Sequence, residues 1–176
     1  AWWTDSLAYE APSVIVDDGV LRMSAGDPVI PQEGIRNFEG GLSSLFSCLE
    51  LGGHEALREA RGSYCAVVVS NQGSKIVGVT DKLGVRALYF GTSSEFLFVT
   101  SSQQLAFSVL GDSARIDVAG ALELHASGFI TGDSTLIEGV ANLKPGCTVE
   151  ITKLGGRVDR YWNWSEELVS PSYLDA

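Results

Sequence analysis

The first pattern along the chain is a pair of apolar runs around a turn. Ser13 to Val16 and Val20 to Met23 flank Asp17-Asp18-Gly19. An Asp-Gly pair in that setting predicts a β-hairpin, because both residues accept the backbone angles of a tight turn. Pro28 and Pro31 follow; neither can donate a ladder hydrogen bond, so Asp27 to Gly41 is expected as loop. From Leu42 to Arg61 the apolar positions Leu42, Leu45, Phe46, Leu49, Ala56, Leu57 and Ala60 recur at helical spacing, interrupted by Gly52-Gly53. That pattern predicts two helices or one broken helix.

Dense β signals come next: Tyr64 to Ser70, a turn at Asn71 to Ser74, Lys75 to Thr80, Leu88 to Phe90, a turn near Gly91 to Glu95, and Phe96 to Ser101. Together they predict an antiparallel meander. Ser102 to Leu110 and Val118 to Ala126 read as short helices, the second with Asp117 placed to cap it. Thr148 to Thr152 and Arg157 to Trp162 predict a last hairpin around Leu154-Gly155-Gly156. After Trp164 the apolar period stops and Pro171 appears, the pattern of a linker or tail over 165–176 leading toward a further domain. Helices before and after a block of strands make the fold class α+β, with sheets packed on each other and helices outside. Residues 1–164 are expected to form one domain.

Composition narrows the function classes. A chain of 176 residues, 45% hydrophobic and 19% charged, can bury a core of its own. A net charge of -10 without a basic run argues against nucleic acid or an anionic membrane, both of which need clustered Lys and Arg. No apolar stretch is long enough to span a bilayer, and the expected compartment is cytoplasmic. Cys48, Cys65 and Cys147 cannot all pair, and none has the spacing of a zinc ligand set. They read as reduced thiols, and no metal site is expected.

Several blocks carry a resemblance. Thr80-Asp81-Lys82-Leu83-Gly84-Val85-Arg86-Ala87-Leu88-Tyr89-Phe90 is similar to the run R-D-x-x-G-x-x-P-L-Y-Y of the asparagine synthetase family, with Ala87 in place of proline. Gly62-Ser63-Tyr64-Cys65-Ala66 precedes it and Leu97 to Ser102 follows it, similar to that family's G-x-F-A and F-A-S-E. A further succession closes the series: Ile116-Asp117, Gly128-Phe129-Ile130, Thr135-Leu136-Ile137, Gly139-Val140, Leu143, Pro145-Gly146 and Arg160-Tyr161-Trp162. In this order the blocks resemble the glutamine amidotransferase domain (class II, Ntn type) of asparagine synthetase-like enzymes. Gly84, Gly139 and Gly146 read as turn residues, and Leu88, Tyr89, Phe98 and Trp162 as core, so the blocks speak to fold before chemistry. Asp81 is expected to accept hydrogen bonds from backbone in the turn that follows it.

The resemblance implies an Ntn-hydrolase-like αββα sandwich of two antiparallel sheets with outer helices. It also implies a chemistry: an N-terminal cysteine attacks the glutamine amide with its own α-amino group as base. Ala1 stands first here. Thr4, Ser6 and Ser13 are hydroxyl candidates for an Ntn nucleophile released by processing, and each reads as polar surface or hairpin end. Cys48 and Cys65 fall at apolar spacing and read as core. The family's N-G-E oxyanion run maps onto Ala25-Gly26-Asp27, which keeps the glycine and loses the asparagine. Its substrate-binding aspartate maps onto Gly41, and the arginine loop R-H-R-G-P has no counterpart. The site residues expected are therefore vestigial: Ala25, Gly26, Asp27 and Gly41, with no catalytic residue. His54, in a loop-like and exposed Gly-Gly-His-Glu stretch, and His125, on a helix, have no nucleophile and carboxylate set around them.

The resemblance thus points to a catalytically silent glutaminase-like domain, as in enzymes that form β-lactams or cyclise lasso peptides. Its expected partner is an ATP-dependent synthetase domain or subunit, which alone would use ATP and Mg; this chain lacks the S-G-G-x-D-S motif and any phosphate loop. Trp2, Trp3, Trp162 and Trp164 are candidate anchors for that partner or core residues, and a homodimer is possible. Two alternatives stand beside this reading: an active amidotransferase whose N-terminal Cys is missing from the sequence, and a free-standing binding module.

Overall fold

The computed structural model describes residues 13–26, 28–30, 38–70, 73–93 and 95–167. The opening hairpin pairs β1 (Ser13–Asp17) with β2 (Val20–Gly26) through a turn in which Asp18 and Gly19 have φ of 47° and 75°. Helices α1 (Phe38–Leu51) and α2 (His54–Glu59) follow, broken where the Gly-Gly pair predicts. Then come β3 (Tyr64–Ser70), β4 (Lys75–Thr80), β5 (Tyr89–Thr92), β6 (Leu97–Thr100), α3 (Gln103–Leu110) and α4 (Val118–Ser127). The chain continues through β7 (Val140–Asn142), β8 (Cys147–Thr152), β9 (Gly155–Arg160) and α5 (Trp164–Glu167).

Two antiparallel sheets face each other. The larger runs β1-β2-β3-β4-β8-β9 and the smaller β6-β5-β7. β3 explains how they stack. Tyr64, Ala66 and Val68 point to a core under α1 and α2 that includes Leu45, Leu49 and Leu57. Cys65 and Val67 point the other way, into a core with Leu88, Val149 and Ile151, against which Phe90, Leu97 and Val99 of the small sheet pack. A strand covered on both faces reads as a continuous apolar run rather than an alternation, and Tyr64 to Val69 is one. Outside the small sheet, Phe98, Ala106, Ile137 and Val140 bury α3. The layers are helix, sheet, sheet, helix.

Three expectations need correction. The meander is divided: β3 and β4 belong to one sheet, while β5 and β6 belong to the other. Alternation reports that a strand has an inside, not which sheet it joins. The small sheet also contains β7, too short to register as a strand in the sequence, and it lies beside β5 with Tyr89 opposite Asn142. Finally, α1 begins at Phe38, inside the segment expected as loop through Gly41. Of the tail expected over 165–176, residues 165–167 complete a short helical turn and the remainder lies outside the described residues.

The caps follow sequence signals. Ser102 accepts a hydrogen bond from the Gln104 amide at the start of α3, and Asp117 accepts one from Gly120 at 2.8 Å at the start of α4. α4 is otherwise lightly held: Gly120 is its one buried residue, and Val118 and Leu122 are 69% and 64% exposed.

Below the large sheet lies a buried hydroxyl pair. Tyr161 donates to the Thr80 carbonyl at 2.7 Å, and its oxygen lies 3.2 Å from that of Tyr64. Burial pushes both phenols up, Tyr64 from 10 to about 12 and Tyr161 further. A folded-state pKa raised above the unfolded value means that stability is full below pH 10 and falls as pH rises through the folded pKa. The two phenols are therefore expected to lower the unfolding free energy between pH 10 and about 12, the window set by Tyr64, beyond the decline that the raised Cys48 and Cys65 thiols begin above pH 9. Urea titrations across that range check this. The Tyr64→Phe protein should show a shallower decline, and an equal decline would assign the effect elsewhere.

Candidate functional site

At the hairpin end of the large sheet, the two sheets part to leave a cleft of about 250 Å³. Met23, Ser24, Ala25 and Cys65 line one wall, and Leu88, Val99, Thr100 and Ser101 the other. Register places Ala25 opposite Cys65 and Gly26 opposite Tyr64, so the expected vestigial positions on β2 reach this cleft or its rim.

Gly26 takes φ of +87°, and an added Cβ would lie 2.0 Å from the Ser63 carbonyl oxygen and 2.7 Å from Arg86 Nε. Only glycine is accommodated there. Beyond it Val29 pairs with Arg61 through two backbone hydrogen bonds of 2.8 Å, and the Pro28 carbonyl is carried against α1. Gly41 meets it: a Cβ at Gly41 would lie 2.3 Å from the Pro28 oxygen. Ala25 thus lines the cleft and Gly26 follows it on β2, while Gly41 packs on the Pro28 carbonyl and is not among the residues that line the cleft. Asp27 lies outside the described residues.

The other candidates are scattered. Cys48 is half-buried on α1 beside the helix-side core. Cys147 is buried between the sheets, its thiol directed at the Pro145 carbonyl 3.5 Å away. Cys65 is the thiol at the cleft. Burial pushes it up, and the Arg86 guanidinium offsets this only in part. A thiol held protonated in this way is a poor nucleophile. Cys48 is likewise pushed up by burial. His54 opens α2 rather than lying in a loop, which corrects the sequence expectation; the Gly-Gly pair ends α1 and leaves His54 free to begin the next helix. His125 is exposed in the last turn of α4. Ser13 starts β1 opposite Ser24, and Ala1, Thr4 and Ser6 lie outside the described residues, as do Trp2 and Trp3.

Asp81 performs the role expected of it and more. Its carboxylate accepts from Leu83 at 2.9 Å and from Tyr64, Val85 and Arg86 at 3.3 Å each, while its carbonyl accepts from Gly84 and Gly146. This hub fixes the segment that presents Arg86 to Gly26. Arg86, inside the Thr80 to Phe90 block, stands against Gly26 through tertiary packing that leaves no local sequence signal.

The ordered blocks that carry the resemblance fall on these same elements, and a sequence profile of the glutamine amidotransferase domain family matches residues 42–162. The chain belongs to this family. Two solved structures are similar to this chain. One, the allosteric regulatory enzyme of purine biosynthesis, matches with a TM-score of 0.50 and 14% identity over 86% of this chain and 31% of its own. The other is glutamine phosphoribosylpyrophosphate amidotransferase from B. subtilis, complexed with ADP and GMP, with a TM-score of 0.48 and 14% identity over 86% of this chain and 32% of its own. This amidotransferase domain thus spans about a third of the solved chains it matches. No curated protein sequence matches it. Among its described residues no helix is long and apolar enough to cross a membrane.

Proposed function

We propose that this is a catalytically silent glutaminase-like domain that works with an ATP-dependent, amide-bond-forming synthetase of the asparagine synthetase, β-lactam synthetase or lasso cyclase kind. The observation that carries the reading is Gly41. At the position where the resemblance puts the carboxylate that holds the substrate's α-amino group, there is no carboxylate and no room for one, since even a methyl group would meet the Pro28 carbonyl at 2.3 Å. Glutamine would lose a charge-assisted contact that orients it for attack. Cys65, the thiol at the cleft, is held protonated and supplies no substitute nucleophile.

A role through contact is supported by α4, which exposes Val118, Leu122 and Leu124 on a helix that buries little. ATP and Mg belong, on this reading, to the synthetase partner. Family membership favours the rival reading, an active glutamine-dependent amidotransferase. The natural protein, purified and incubated with glutamine, is expected to release no ammonia above the rate of glutamine alone. Release that a thiol-alkylating reagent abolishes would establish the rival.

A further inference from the structure

Three of the chain's twelve Lys and Arg residues converge on one surface groove, although the protein carries ten negative charges in excess. Lys82 and Arg160 border a depression of about 390 Å³ beside Trp164, and Lys144 and Arg160 border an adjoining one of about 460 Å³ floored by Phe90, Leu143 and Val158. The cations come from three separate stretches of chain, brought together by the fold. One carboxylate, Asp133, lines the groove and lies 3.3 Å from the Lys144 ammonium. Among the described residues no carboxylate pairs with Arg160, which is exposed.

The walls are held in place before anything binds. Thr80 donates to the Lys144 carbonyl at 2.8 Å, Gly146 donates to the Asp81 carbonyl at 2.9 Å, and the Tyr161 and Trp162 amides donate to the Gly146 carbonyl. Trp162 is buried and meets the exposed Trp164 edge-on at 4.8 Å, while the Lys82 ammonium sits 5.6 Å from the Trp162 ring centre. A preorganised groove binds without first losing freedom of its own.

We propose that this groove docks an acidic, extended peptide segment of a partner protein, independently of whether the glutaminase site is silent. Charge complementarity selects an anionic occupant. Its form follows from the layout, with cations along both halves of a groove that has an apolar floor. A phosphate would instead call for donors converging on one point, as in a Gly-rich loop or nest. Asn142 also lines the second depression. Carboxylates of the peptide meet Lys82, Lys144 and Arg160, and its alternate side chains cover Val158 and Trp164.

The test is fluorescence anisotropy of the full chain with a short fluorescein-labelled peptide of alternating Glu and Leu. The peptide is expected to bind, and Lys144→Glu with Arg160→Glu to weaken it by ~10-fold or more. Binding should also weaken several-fold as salt rises from ~50 to ~200 mM, since rim charges are screened. Lys144→Gln with Arg160→Gln, which introduces no new charge, should give a smaller loss while circular dichroism stays unchanged. Equal binding of an alternating Lys and Leu peptide, or no effect of either double variant, would overturn the proposal. So would displacement of the peptide by an equimolar amount of inorganic phosphate, which makes the groove an anion site only. Self-association of the chain abolished by Arg160→Glu would assign the groove to a second copy and likewise overturn it.

Discussion

Replacing Asp81 with alanine is expected to cost about 4 kcal/mol of unfolding free energy. The carboxylate is 1% exposed and receives four backbone N–H groups from Tyr64, Leu83, Val85 and Arg86. An abandoned buried donor costs about 1 to 3 kcal/mol, and the ones nearest solvent recover part of that by binding water, which brings the total to about 4. For a domain of this size the melting temperature should fall by about 10 °C. Asp81→Asn keeps one acceptor oxygen but turns an NH₂ group toward donors, so it should fall between wild type and Asp81→Ala. Chemical denaturation of the three proteins checks the order. A loss below 1 kcal/mol for the alanine protein would mean that the 82–86 turn is held by its backbone alone.

Placing a carboxylate at position 41, where the resemblance puts one, is the second large effect. Gly41→Asp is expected to destabilise by about 3 kcal/mol and to produce no glutaminase activity, because the new Cβ is driven into the Pro28 carbonyl and α1 must shift. Gly41→Ala should cost nearly as much, since the clash comes from the Cβ and not from the charge. Gly53→Ala serves as the contrast: nothing lies within 4 Å of the Cβ position there, and its φ is -80°. That change should be close to neutral. If Gly41→Asp proves as stable as wild type and binds glutamine, the pocket is adaptable and the argument from Gly41 falls.

These two residues also separate what can be read from the chain from what cannot. Asp81 before Leu83-Gly84 is a local signal. An Asx turn closes within a few residues, so its role is visible in sequence, and the contact with the Tyr64 amide is the part that local pattern cannot show. Gly41 is the opposite case. The resemblance puts an aspartate there, but the reason it must stay glycine is a carbonyl 13 positions earlier, placed by the Val29–Arg61 bridge. The cleft is intermediate: Ala25 and Gly26 could be named from the resemblance, whereas Cys65 joins Ala25 through strand register and Arg86 reaches Gly26 through the Asp81 hub.

By itself the sequence determined the hairpins, the broken helix pair, the capped helices and the family, because turn chemistry, helical period and motif order are short-range properties. It also determined that no basic run exists. Only the tertiary structure decided that β5 and β6 leave the meander for a second sheet, that β7 completes it, and that Lys82, Lys144 and Arg160 share a groove. The physical reason is common to all three. Side-chain alternation and local charge say which way a residue faces, while the identity of the facing element is set by the packing of apolar surfaces far apart in the chain.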